Sequence, residues 1–151
     1  MALEALESLL EANRGGVWFL PVRAEPKAVQ SVAKGNGYAF FHIEGRNIAR
    51  KEQLLNAAAT ALRFPKDFGH NWDALEECLT DLEWVDADGY VIYYDHIDGL
   101  LNAHPDQVET LIEILRDAVA SWKEDDTAMI VLLSGDKAPK GVGKLKEAEA
   151  D

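Results

Sequence analysis

The sequence contains no lysine or arginine from residue 67 to residue 115, although the whole chain has 15 basic residues. Thirteen acidic residues lie in that segment, and the remaining residues hold 14 acids against the 15 bases, which gives the net charge of −12. A surface with charges of one sign repels itself and attracts ligands of the opposite sign. We therefore expect a cationic partner, either a basic protein or metal ions. Nucleic acid is nearly excluded, because its phosphates would be repelled.

The sequence also has little cysteine and no long apolar run. Cys78 is the only cysteine, which excludes an internal disulfide and a cysteine-rich metal site, and we expect it to be a small buried hydrophobic residue. Since no run of about 18 apolar residues is present, no transmembrane helix is predicted. The first residues carry acids where a signal peptide carries bases. We therefore expect a cytoplasmic protein without membrane contact, and 151 residues suit a single domain.

Apolar segments alternate with helical patterns along the middle of the chain. Continuous apolar runs predict buried strands at residues 38–43, 90–94 and 128–133. Amphipathic periodicity predicts helices at 51–62, 72–82 and 105–122, with one helical turn at 100–104. Buried strands separated by helices indicate a parallel sheet covered on both faces. The expected fold is therefore α/β, a small three-layer domain with a three-stranded parallel sheet flanked by helices.

The two ends of the chain look like additions to this domain. Leucines at helical spacing, a short apolar run at 17–20 and a weak helical pattern at 26–34 predict elements within residues 1–36. We interpret 1–36 as an extension packed on the core, 37–134 as the domain and 135–151 as a mobile tail. The tail offers only Val142 and Leu145 as core candidates. The extension could add an edge to the sheet or form a dimer contact, and the oligomeric state stays open.

The predicted helix at 72–82 has two chemically opposite faces. At about 100° per residue, its apolar side chains fall on one arc, which should pack on the sheet: Trp72, Leu75, Cys78, Leu79 and Leu82. The opposite arc carries Asp73, Glu76, Glu77 and Thr80. Like charges at this spacing repel each other, so the face favours binding over helix stability. Asn71 is the expected N-cap, and Gly69 is expected to supply a positive φ in the preceding turn.

Residues 65–80 resemble the signature of the barstar family of bacterial ribonuclease inhibitors. The matching positions are ordered and ungapped: Phe68-Gly69, Asn71, Asp73-Ala74-Leu75 and Cys78-Leu79-Thr80. The order of strands and helices from 38 to 134 is also similar to that of the family. The resemblance implies a protein that binds a basic ribonuclease and blocks its active site with the acidic helix and the preceding loop. It implies no catalysis, no cofactor and no metal.

The resemblance also implies roles for individual residues. Asp73 and Glu77 would take the place of substrate phosphate, with Glu77 standing where the best-known member has Asp, and Thr80 would be a contact at the helix end. Asp67 and Glu76 depart from that pattern, which has an aromatic residue at each position. The implied partner-binding set is Asp67, Phe68, Gly69, Asn71, Asp73, Glu76, Glu77, Thr80 and Asp81, with Asp117 near a peripheral acidic contact.

An enzyme is one alternative. Asp73 could work with Glu77 or with His70 as an acid–base pair, but an exposed helix lacks the cleft that shifts the pKa values of catalytic groups. The other histidines fit no catalytic triad or metal-ligand spacing, and we interpret them as structural or surface residues: His42, His96 and His104.

Two further alternatives keep the acidic residues but change the ligand. A metal site would use Asp86 and Asp88, with Asp95 and Asp98 as further candidates, although the spacing of a calcium loop is incomplete. An acidic interaction module would bind a basic protein that is not a nuclease.

Overall fold

The computed structural model describes residues 3–145, in which one or two helices separate each strand from the next. The helices are α1 (Glu4–Glu11), α2 (Pro26–Gly35), α3 (Lys51–Leu62), α4 (Trp72–Asp81), α5 (Asp98–Ala103) and α6 (Pro105–Glu124), and the strands are β1 (Gly16–Phe19), β2 (Ala39–Glu44), β3 (Gly89–Asp95) and β4 (Ala128–Leu133). The predicted elements are confirmed, with ends that differ by one or two residues. In this described part of the chain, no helix combines the length and the apolar character that a membrane crossing requires.

The four strands form one parallel sheet in the order β1-β4-β3-β2. The α/β class is confirmed, but the prediction of three strands is wrong, because β1 pairs with the outer side of β4. All six residues of β4 are buried, so a sheet that ended at β4 would leave a row of unpaired backbone groups there. β1 supplies the missing partner, with Phe19 in register with Leu133. The extension therefore forms one edge of the sheet.

Each face of the sheet has its own core, since successive side chains of a strand point to opposite faces. On one face Ile92 and Tyr94 pack with residues of α3, α4, α5 and α6. On the other face Val91 and Tyr93 pack with α1 and α2. The third layer of the fold is thus made by the N-terminal extension, through four fully or almost fully buried side chains: Leu6, Leu10, Val29 and Ala33.

The segment after β4 also contacts the sheet. The Leu145 backbone N–H donates to the Phe19 carbonyl at 2.8 Å, and the Phe19 N–H donates to the Gly143 carbonyl at 2.8 Å. Val142 and Leu145 are both buried. The boundaries at 36 and 134 and the mobility of 135–151 stay predictions, and residues 146–151 lie outside the described residues.

Candidate functional site

The loop before α4 is held by a small aromatic cluster. The ring centroids of Phe64 and Phe68 are 4.9 Å apart, and Trp84 meets Phe64 edge-on at 6.2 Å. The Phe68 N–H donates to the Pro65 carbonyl at 3.0 Å and closes the turn. Phe68, a member of the implied partner-binding set, is buried and anchors the loop, whereas Asp67 is exposed. The loop therefore presents the Asp67 carboxylate from a fixed position.

His70, and not Gly69, has the positive φ in this loop, at 54°. The prediction for Gly69 is wrong. The His70 Nδ1–H donates to the Phe68 carbonyl at 2.9 Å, since a carbonyl can only accept, and the His70 ring lies 4.7 Å from the Phe68 ring. These two contacts offset the cost of left-handed backbone at a residue other than glycine.

The N-terminus of α4 is capped as predicted. Asn71 Oδ1 accepts a hydrogen bond from the Ala74 backbone N–H at 2.7 Å. Asp73 lies in the first turn, where a negative charge interacts favourably with the helix dipole. The Asn71 side-chain oxygen is therefore already bonded within the protein, while the Asp73 carboxylate faces solvent.

The apolar face of α4 packs inward as predicted. Leu75 and Leu79 are each 2% exposed. The indole N–H of Trp122 on α6 donates to the Leu79 carbonyl at 2.8 Å. The indole N–H of Trp84, just after α4, donates to the Leu62 carbonyl of α3 at 2.9 Å. These bonds fix the helix to its neighbours, so α4 is a rigid support for its outer face.

The outer face of α4 is acidic. Asp73, Glu77 and Asp81 are exposed, Glu76 is partly buried, and the Thr80 hydroxyl bonds back to the helix at 3.0 Å from the Glu76 carbonyl. Within residues 3–145, none of these carboxylates forms an ion pair. We define the acidic face as Asp67, Asp73, Glu76, Glu77 and Asp81. Its unpaired carboxylates can accept charge-assisted hydrogen bonds from arginine and lysine side chains.

A contact between a lysine and an aromatic ring joins α3 to the first residue of α4. The Lys51 ammonium on α3 is 5.3 Å from the centre of the Trp72 ring, which suits a cation–π contact. The sequence did not indicate this role of Lys51, because the contact joins two residues that are 21 positions apart in the chain.

Comparison with known proteins identifies the family. Residues 38–134 match the family model described as Barstar (barnase inhibitor), which covers more than half of the chain. The chain belongs to the barstar family. The match begins just before β2, so α1, β1 and α2 lie outside it. No curated protein sequence matches the chain.

Three similar solved structures come from Drosophila. The structure of ORC bound to DNA has a TM-score of 0.45 and 10% identity, over 87% of this chain and 72% of that chain. ORC bound to AT-rich DNA and Cdc6 has a TM-score of 0.45 and 12% identity, over 87% of this chain and 43% of the other. ORC bound to GC-rich DNA and Cdc6 has a TM-score of 0.44 and 12% identity, over 86% of this chain and 44% of the other. Similarity at this level carries no conclusion about fold or function.

The single cysteine of this barstar-family chain lies beside the acidic face. Cys78 is only partly buried, so the expectation of a buried residue is met in part. Burial raises the pKa of the Cys78 thiol, and the charges of Asp81, Glu77 and Asp67 raise it further. The thiol therefore stays protonated at neutral pH and is a weak nucleophile.

The four aspartates of the alternative metal site are not brought together. Asp88 precedes β3 and Asp95 ends it, so the strand separates them by about 20 Å. Asp98 Oδ1 accepts a hydrogen bond from the Asp136 backbone N–H. Asp95 and Asp98 therefore cannot join a site at Asp86 and Asp88, and a site at these two residues alone stays a prediction.

A polar cluster that the sequence analysis missed lies at the carboxyl ends of the strands. The fully buried Asp95 carboxylate accepts two hydrogen bonds from Arg23, at 2.9 and 2.6 Å, and one from the Ser134 hydroxyl at 2.9 Å. Burial tends to raise the pKa of the Asp95 carboxyl, but the bonds from Arg23 and Ser134 outweigh burial and lower it. His42 and His96 each approach Asp95 to 3.6 Å, so two of the histidines interpreted as structural or surface residues meet at one carboxylate.

Proposed function

We propose that this protein inhibits a basic ribonuclease by covering the active site of the enzyme with the acidic face. The observation that carries the proposal is a set of carboxylates without ion pairs among the described residues, fixed on a capped and anchored helix, in a member of the barstar family. An active site that binds RNA phosphate must present cations, and carboxylates can replace phosphate there.

Rigidity of the support favours tight binding. The N-cap of Asn71 and the indole bonds of Trp84 and Trp122 hold α4 and the segment after it, so little conformational entropy remains to be lost on binding. The long-range attraction between the acidic face and a basic enzyme speeds their association at low salt.

The departures from the family pattern concern the choice of target. Asp67 and Glu76 stand where the best-known member has aromatic residues, and both carry carboxylates here. We expect a target with additional cations opposite these two positions. The longer side chain of Glu77 also requires a pocket of different depth from one that fits aspartate.

Catalysis by the acidic face is not part of the proposal. Asp73 and Glu77 are exposed, and the His70 ring packs on Phe68, so neither pair considered as an acid–base couple is enclosed in a cleft. A place in the cytoplasm suits the proposal, because an inhibitor protects cellular RNA where that RNA is found.

The test is titration of the purified protein into a panel of basic microbial ribonucleases, with RNA cleavage followed at low and at physiological salt. We expect stoichiometric inhibition of at least one enzyme, abolished by Glu77→Gln combined with Asp73→Asn. Absence of inhibition of every enzyme at both salt concentrations would contradict the proposal and favour a different basic partner for the acidic face.

A further inference from the structure

Three side chains with metal-binding atoms converge on adjacent strands, away from the acidic face. His42 and Glu44 are two residues apart on β2, and Asp95 on β3 is in register with Glu44. Residues paired in a parallel sheet point to the same face, here the face covered by α1 and α2. One ligand atom from each of the three lies within 4.8 Å of the others. We call His42, Glu44 and Asp95 the strand cluster.

His42 carries the observation that points to a ligand. Its Nε2 atom is buried and has no hydrogen-bond partner among residues 3–145. The nearest acceptors are Asp95 Oδ2 at 3.6 Å and Glu44 Oε1 at 3.7 Å, which are too far for hydrogen bonds. A buried polar atom without a partner is costly, and a ligand that bonds to it would remove this cost.

The spacing of the three atoms suits one ion. Zinc bonds of about 2.0–2.2 Å in tetrahedral geometry place neighbouring ligand atoms roughly 3.3–3.6 Å apart. The 3.6 and 3.7 Å distances from His42 Nε2 need a contraction of only a few tenths of an ångström. The two carboxylates, which lie within 4.8 Å of each other, would need to approach by up to about 1.5 Å to share the ion. We propose that the strand cluster binds a divalent transition-metal ion of the zinc class, through His42 Nε2, Glu44 Oε1 and Asp95 Oδ2. The fourth position would be taken by water.

The surroundings keep the carboxylates ready to bind a cation. Arg23 and Ser134 donate to Asp95 and orient it, as outer partners commonly orient metal-binding carboxylates. Arg46 approaches Glu44 Oε2 at 3.5 Å, which leaves Glu44 Oε1 directed to the cluster. Because Arg23 and Arg46 already pair with Asp95 and Glu44, a bound ion would share these two carboxylates with the two guanidinium groups.

An ion can reach the cluster from solvent. β2 lies at the edge of the sheet opposite to β1, and Glu44 is exposed. The His42 side chain is 25% exposed and that of Glu44 is 44% exposed, so the cluster borders solvent on its Glu44 side. This edge is separate from α4, so the inference is independent of ribonuclease inhibition.

The test uses the full chain and zinc chloride, freed of other metals by chelation and followed by equilibrium dialysis. We expect one zinc ion per chain, with an affinity that falls by more than about tenfold in His42→Ala and in Glu44→Gln. Cobalt(II) should give the visible absorption of a tetrahedral site, and His42→Ala should abolish that absorption. His104→Ala is the matched control, because it removes a histidine outside the cluster.

Two results would overturn the inference. One is the absence of zinc binding at millimolar zinc. The other is binding that His42→Ala and His104→Ala weaken equally or leave unchanged, since the ion would then lie elsewhere. Circular dichroism of each variant shows whether the fold is retained, and Glu44→Gln, at an exposed edge position, keeps the test valid if His42→Ala does not fold.

Discussion

Neutralising Glu77 should change stability and binding in opposite directions. Glu77 lies four residues after Asp73 and four before Asp81 on the same helix, so it takes part in two repulsive pairs. Each such pair destabilises a helix by about 0.2–0.5 kcal/mol. Glu77→Gln should therefore raise the free energy of unfolding by about 0.4–1 kcal/mol. For a protein of this size, that corresponds to an increase in Tm of about 1–4 °C.

The same substitution should weaken the complex with a target ribonuclease. Loss of one partner from a desolvated, hydrogen-bonded charge pair costs about 2–5 kcal/mol, much of it from the charge left unpaired on the other protein. That range corresponds to a Kd roughly 30- to 4,000-fold higher. The inhibitor would thus become more stable and less effective at once, which a general loss of structure cannot produce.

Thermal unfolding and inhibition of RNA cleavage measure the two effects on the same samples. Glu113→Gln on α6 is a matched control, because Glu113 is exposed like Glu77. Glu113 also has an acidic residue four positions before it, Glu109, and another four positions after it, Asp117. The control removes the same charge and should leave Kd within a few-fold of the unmodified protein. Equal losses of affinity in both variants would mean that net charge, and not the acidic face, determines binding, and the reasoning would be refuted.

Three further predictions concern the support of the acidic face and the fold around it. Asn71→Ala removes the N-cap and should lower the free energy of unfolding by about 1 kcal/mol in denaturant titration, whereas Asn71→Asp, which keeps the cap, should not. Arg23→Met leaves the buried Asp95 carboxylate without its ion pair and should cost about 3 kcal/mol, and an equally stable variant would show that the pair contributes nothing. The raised pKa of Cys78 lowers the fraction of thiolate at a given pH. The reaction of Cys78 with a thiol reagent should therefore be slow at pH 8 and should accelerate only at higher pH. A rate at pH 8 equal to that of a free thiol would contradict this prediction.

The helices, the strands and the buried faces of the helices could be predicted from the sequence, because the interactions that determine them are local. The bounds of α3 are those that the apolar period indicates, and the inward face of α4 follows from the spacing of Leu75 and Leu79. The N-cap at Asn71 needs only the side chain and the backbone three residues later. In each case the interacting atoms belong to one stretch of chain.

Features that depend on pairing between distant segments could not be predicted. The pattern at residues 17–20 indicates a strand, but only the buried outer side of β4 decides that this strand joins the sheet. His42 and Asp95 are 53 residues apart, and the register of β2 with β3 brings them together. The positive φ at His70 likewise depends on packing of the His70 ring against Phe68. From the sequence, Gly69 is the expected residue for a positive φ, because glycine adopts this conformation at no steric cost.

The thirteen acidic residues of the segment do not all contribute to the same surface field. Asp95 is buried and paired with Arg23 from outside the segment, so it contributes nothing to a surface field. Asp88 lies beside Gly37 at the amino end of the sheet, away from the carboxyl ends where Asp95 lies. The five carboxylates of the acidic face, by contrast, come from a loop and three turns of one helix. Since screening in water limits exposed charges to a range of about 8–10 Å at physiological salt, a cationic partner responds to this local density and not to the total of −12. The absence of lysine and arginine is therefore informative because it leaves the acidic face unpaired, whereas Asp95 and Asp88 add little to the attraction.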